Sequence, residues 1–214
     1  IFVVGPNRVD QAVMSEDGRL ALTEIETGGT LVISGNATVG SGYNRNAIEG
    51  NGTVLVQSGR LLQRGGTIAG RGVDGLWLLG RVEGYGSLRG RINVMDTLAR
   101  GYRDSFENLW LAPTARLELR ANDWRSGPLF NGCVECLGGG LTADSRAWLD
   151  GVLSVDFTGA NLLDGDRLVL IAADVIGGRF VHTEWMGLAN DTQIALGVES
   201  NLGRMQLVLA VSVT

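Results

Sequence analysis

Two cysteines stand close together as Cys133-Val134-Glu135-Cys136. Two sulfurs cannot complete a zinc site, because a closed structural site takes four ligands and His182 is the single histidine. A thioredoxin-like redox pair would want a βαβ setting. The flanks Asn131-Gly132 and Leu137-Gly138-Gly139-Gly140 read instead as turns. The first reading is a short-loop disulfide in an oxidising compartment. Two free structural thiols are the second, and a redox centre the third.

Gly70-Arg71-Gly72-Val73-Asp74-Gly75 satisfies the spacing of a dinucleotide loop. That use needs a following helix and an acid about 20 residues on. The following Leu76-Trp77-Leu78-Leu79 reads as a strand, so the glycines are read as a corner. Gly70, Gly72, Asp74 and Leu76 also match one calcium-binding nonapeptide. Such sites are built from tandem copies, and there is one copy here. Asp164-Gly165-Asp166 could offer oxygens to Ca²⁺, but it is read as a turn. No metal and no cofactor is expected.

Acid–base work on a polysaccharide would use carboxylates, often paired. Asp96, Asp104, Glu107, Glu118, Asp123, Asp144, Asp150 and Asp156 are available, and Arg100, Arg103 and Asp104 form a compact cluster read as a loop. No recognisable carboxylate motif orders them. A serine nucleophile has no G-x-S-x-G elbow, and His182 lies in a strand-like run as a half-buried residue. No catalytic residue is assigned. Trp77, Trp110, Trp148 and Trp185 each adjoin Leu or Met and are expected in core or cap packing. Trp124, between Asp123 and Arg125, is the one expected to be exposed. Exposed indoles would suit a sugar surface.

The elements that must position these residues are short strands paced by glycine. The 214 residues include 33 Gly and 3 Pro, with 44% hydrophobic residues. Disordered chains are poor in the aliphatic residues found here. Gly28-Gly29-Thr30, Gly50-Asn51-Gly52-Thr53 and Gly65-Gly66-Thr67 each open an apolar run. The unit recurs about every fifteen to twenty-two residues, the scale of a solenoid. Strands of four to six residues are expected at Leu31–Ser34, Val54–Gln57, Leu76–Leu79 and Ile92–Met95. No segment carries a helical apolar stripe over three turns. From Trp110 onward the alternating runs lengthen, as in Trp148–Phe157 and Met205–Val213. Longer runs suit a segment that closes an open end.

The net charge of -5 disfavours nucleic acid. All 18 basic residues are arginine, which removes Schiff-base and P-loop lysine chemistry. No apolar run of about 20 residues exists to cross a membrane as a helix. A start at Ile1 without Met suggests a processed form or a fragment.

The stretch 81–180 resembles the passenger regions of bacterial autotransporters and related exported β-helix proteins. The residues that carry the likeness are Gly84, Gly86, Leu88, Gly90 and Ile92, then Leu117 and Leu119, then Leu153, Val155 and Phe157. Gly165, Asp166, Leu168, Leu170 and Ile171 follow, and Ile176, Gly178 and Phe180 close the pattern. The resemblance implies a secreted or surface-exposed right-handed parallel β-helix and implies no activity.

The expectation is therefore an all-β chain, a right-handed parallel β-helix (a β-solenoid) with a β-rich C-terminal cap. Residues 1–26 form an N-terminal strand segment, 27–109 the glycine-rich coils, and 110–214 the final coils and cap. Its expected role is structural or adhesive, outside the cell or on a bacterial surface. The alternative is a carbohydrate-active enzyme or a carbohydrate-binding adhesin fragment. Ile1, Phe2, Val3 and Val4, isolated by Gly5-Pro6, are expected to pair with a neighbour's open edge. Such strand addition would give a homo-oligomer or head-to-tail filament.

Overall fold

A computed structural model describes residues 2–4, 19–20, 23–25, 30–33, 37–39, 47–50, 53–70, 75–100, 104–121, 130–132 and 145–213. Side chains are described for residues 33, 53–64, 67–70, 75–100, 105–121 and 145–213. The described chain is all β, without helix, and its strands join in one curled, mostly parallel sheet. A parallel neighbour cannot be reached through a tight hairpin. Here the chain reaches it by visiting two other ladders of strands before returning.

The first ladder joins β2 (Arg19–Leu20), β5 (Ala37–Val39), the start of β8 (Arg60–Gly70) and the start of β10 (Arg81–Val94). It continues through β11 (Thr97–Arg100), β13 (Arg116–Arg120), β16 (Val152–Asp156) and β19 (His182–Met186). The second joins β3 (Thr23–Ile25), β6 (Ala47–Gly50), the rest of β8 and the middle of β10. It goes on to the start of β12 (Asp104–Leu111), β14 (Phe130–Gly132) and β17 (Arg167–Ala173). The third joins β4 (Thr30–Ile33), β7 (Thr53–Val56), β9 (Leu76–Leu78) and the end of β10. The end of β12, then β15 (Arg146–Leu149) and β18 (Val175–Gly178), complete it.

Side chains alternate across each strand, so every second residue on a ladder enters the same interior. Leu61, Val82, Leu98, Leu117 and Leu153 stand in register and are all fully buried. Ile33, Val56, Leu78, Val94 and Leu111 do the same on the third ladder. Each such side chain contributes roughly 1.5–3 kcal/mol on burial. Register is thereby fixed, because a slip of one residue would turn these rows outward.

The expected four-to-six-residue strands hold at β4 and β7, the one at Leu76–Leu79 has three residues as β9, and the one at Ile92–Met95 is absorbed into β10; the short-strand expectation fails for β8 and β10. Those run for 11 and 14 residues and cross from one ladder to the next without a break. Glycine is the reason. Gly84 has φ +110°, and an added Cβ would lie 1.8 Å from the Gln63 carbonyl oxygen on the adjoining strand. Glycine there bends a continuous strand around a corner rather than ending it.

Among the described residues two regions are antiparallel. At the N-terminus, β1 (Phe2–Val4) pairs with β4 of its own chain, Phe2 opposite Val32 and Val4 opposite Thr30. At the C-terminus, β20 (Thr192–Asn201) and β21 (Arg204–Val213) form a hairpin, and β21 also pairs with β17. Its turn residues Leu202 and Gly203 both have positive φ, 51° and 80°, as a two-residue primed turn requires. The parallel ladders therefore run well past Trp110, to Met186, and the antiparallel closure is confined to the last two strands.

Candidate functional site

The outward residues of the first ladder form a ladder of charge. Arg60 bonds Glu83, and Arg81 donates from Nε to Glu83 Oε2 at 2.9 Å. Arg81 also reaches Glu118 Oε2, at 2.6 Å from Nη2. Arg116 donates from Nε to Glu118 Oε1 at 3.0 Å and from Nη1 to Glu184 Oε1 at 3.1 Å. Two of these links pass over a whole strand. Glu83, Ala99, Glu118, Ser154 and Glu184 stand in register, so Arg81 crosses β11 beside Ala99 and Arg116 crosses β16 beside Ser154. Two parallel spacings amount to about 10 Å. Small residues on the intervening strand let the long guanidinium side chains span it.

The charges answer one another electrostatically. The Arg60 hydrogen bond, helped by Arg81, holds Glu83 below the usual glutamate range. Burial pushes Glu118 upward, but Arg81 and Arg116 together outweigh it and hold it low. Arg116 holds Glu184 low as well. Arg81 and Arg116 are raised in return, chiefly by Glu118 and Glu184 respectively. Asp156 is lowered by the Thr158 hydroxyl and backbone N–H. A general acid needs a raised carboxyl pKa, and these carboxylates are shifted the other way.

A groove of about 640 Å³ lies along this face, lined among others by Arg60, Arg81, Glu83, Tyr85, Glu118 and Asp156. Tyr85 is half exposed at its mouth. Beneath it is a polar pair in the interior. Arg100 Nη1 donates to Gln63 Oε1 at 2.8 Å, and both residues are buried. Gly84 stands between them in register, and its missing side chain lets the two meet. Arg100, expected in a charged loop with Arg103 and Asp104, thus ends β11 facing inward. Strand alternation decides this: Leu98 and Arg100 share a face, and Leu98 faces the core.

The third ladder carries a different outward row. Trp77, Asn93, Trp110, Trp148 and Gly177 stand in register. Trp110 is 37% exposed and Trp148 54%, whereas Asn93 between Trp77 and Trp110 is buried. The Trp148 ring lies over Gly177, where an added Cβ would come within 2.5 Å of Cζ3. The expectation that these tryptophans pack inside is therefore corrected for Trp110 and Trp148. A leucine neighbour in sequence does not predict burial in a strand, because adjacent residues point to opposite faces. Trp185 does pack inward, tilted against Phe157 with ring centroids 6.3 Å apart.

The remaining sequence candidates fare as follows. Cys133, Cys136, Ile1, Arg103, Asp123, Trp124 and Asp144 lie outside the described residues. Phe2, Val3 and Val4 are paired within the chain as β1. The backbones of Gly70 and Gly75 approach closely, and a strand follows as expected; Gly72 and Asp74 lie outside the described residues. Asp164-Gly165-Asp166 is a turn: Asp166 accepts from the Leu163 N–H at 2.7 Å and Asp164 from the Val213 N–H at 3.1 Å. His182 is exposed rather than half-buried, 3.9 Å from Glu184. Among the described residues no group of three His, Cys, Asp or Glu converges as metal ligands would. No described helix is long and apolar enough to cross a membrane.

No known protein family, no curated protein and no solved structure matches this chain. The likeness to autotransporter passengers accordingly has no relative behind it.

Proposed function

We propose that the chain is a non-enzymatic β-solenoid module, a right-handed parallel β-helix displayed outside the cell as a structural or adhesive surface. The observation that carries this reading is the repeated, in-register return of the chain to three parallel ladders. Such stacking makes a long, extended, regular surface, the feature that repeat architectures use for binding. The charged face supports the non-enzymatic part. Glu83, Glu118 and Glu184 are each tied to arginine and held ionised, which suits a rigid surface and not proton transfer.

Incubation with a broad panel of neutral and acidic polysaccharides tests it. Retention of glycan or cells without new reducing ends or unsaturated products is the expected result. Cleavage that is lost in Glu118→Gln would replace this reading with that of a carbohydrate-active enzyme.

A head-to-tail assembly is the second reading, favoured by the strand edges. Among the described residues nothing pairs with the outer edges of β2 and β3 at one end or of β18 and β19 at the other. Electron microscopy of the purified protein separates filaments from single particles. Because β1 already covers β4, deletion of residues 1–5 should expose that edge and increase assembly rather than abolish it.

A further inference from the structure

The tryptophan row on the third ladder has two chemically different borders. On one side, the outward row Arg91, Asn108, Arg146 runs in register beside it. Arg91 and Arg146 are exposed, and neither makes an ion pair among the described residues. That distinguishes them from Arg81 and Arg116, whose charge is spent on glutamates of the first ladder. On the other side lie Asp96 and Asp150. Asp96 accepts from the Thr97 hydroxyl at 3.0 Å and Asp150 from the Gly151 N–H at 2.7 Å, which leaves carboxylate lone pairs for further donors.

We propose that Trp110 and Trp148, bordered by Arg91 and Arg146, form a binding platform for an extended acidic polysaccharide. The indoles offer broad apolar rings that the C–H face of a pyranose can cover. The guanidinium groups take the uronate carboxylates in charge-assisted hydrogen bonds. Asp96 and Asp150 face the opposite edge of the sugar and accept from its hydroxyls. Trp110 and Trp148 are on adjoining strands, about 5 Å apart along the ladder, and Arg91 and Arg146 are two strands apart, about 10 Å. The platform therefore follows the ladder direction, as a chain ligand would. The whole protein is acidic, at net charge -5, so a polyanion meets attraction only at such local cationic borders. An exposed row of this kind needs no lid and no cavity. Gly177 beneath the Trp148 ring fixes its tilt, because a larger residue there would lift it.

The proposal rests on the surface-module reading for its supply of an extracellular glycan and deepens it by naming the ligand class. Isothermal titration calorimetry on the full chain, with an oligogalacturonate as probe, tests it. Controls are the methyl-esterified oligomer, which keeps the rings and loses the charge, and polyglutamate, which keeps the charge and lacks the rings. Saturable binding to the oligogalacturonate is expected, with both controls at least tenfold weaker. Trp148→Ala should weaken binding at least tenfold while circular dichroism shows the chain still folded, with the melting temperature lowered only by the lost contact over Gly177. Arg91→Ala with Arg146→Ala should weaken binding and flatten its dependence on salt. Equal binding of polyglutamate, equal binding of the neutral ester, no binding of the uronate, or unchanged affinity in Trp148→Ala would each overturn the platform. Glycan or cell retention that survives Trp148→Ala would overturn the platform alone and leave the surface-module reading standing. Cleavage of the probe would overturn the surface-module reading and not the platform.

Discussion

Glu118 is the joint of the charged face, and its replacement by glutamine isolates what that charge contributes. Its carboxylate accepts from Arg81 at 2.6 Å and from Arg116 at 3.0 Å. Exposed ion pairs are each worth about 0.2–1 kcal/mol. Two pairs on a half-buried carboxylate place the loss near the top of that range, and glutamine retains one accepting oxygen. The expected cost of Glu118→Gln at pH 7 is about 1 kcal/mol, which for a chain of this size lowers Tm by about 2–4 °C. The pH dependence follows from the direction of the shift. Glu118 is held below the ordinary 4.5 in the folded protein. Its contribution is therefore present above that value and is lost as pH falls through the lower folded value. The wild type and Glu118→Gln should differ in Tm at pH 7, begin to converge once pH falls below 4.5, and differ less in high salt. Differential scanning fluorimetry over pH and salt reads all three. An unchanged Tm at pH 7 in low salt, or a gap that widens in acid, would refute the reasoning.

Three other perturbations probe the architecture. Gly84→Ala places a Cβ against the Gln63 carbonyl at a φ of +110°; strain of about 1–3 kcal/mol plus the clash should lower Tm by 6 °C or more, and a change under 2 °C would contradict the close strand approach. Ser87 and Ser105 are register partners with hydroxyl oxygens 2.8 Å apart. Ser87→Cys with Ser105→Cys, in a background where Cys133 and Cys136 are serine, should form a disulfide on mild oxidation, and mass spectrometry showing persistent thiols would contradict the register. Phe106 is fully buried, so Phe106→Ala should cost about 3–5 kcal/mol in chemical denaturation; a loss under 1 kcal/mol would place it outside the core.

Much of the fold was legible because its signals are local. The missing helical stripe, the turn at Asp164-Gly165 and the strand at Leu76–Leu78 each depend on a few adjacent residues. The long strands were not legible. Glycine was read as pacing short strands, whereas Gly84 is a corner within the long β10. The functional faces were harder still. Arg81 and Glu118 are 37 residues apart, and Arg116 and Glu184 are 68 apart. Nothing in the spacing of these residues announces that Ala99 and Ser154 would leave a path between them.

The sequence by itself determined that the described chain is β, that glycine paces it, and that the absence of lysine removes P-loop lysine and Schiff-base chemistry. Those conclusions need only residue types and short-range geometry. Which arginines are neutralised and which stand open was decided by the tertiary structure alone. Parallel register brings distant residues onto one outward row, and two identical side chains receive opposite roles according to the row they join. Arg116 is bound between glutamates, whereas Arg146 borders an exposed indole with no ion pair among the described residues.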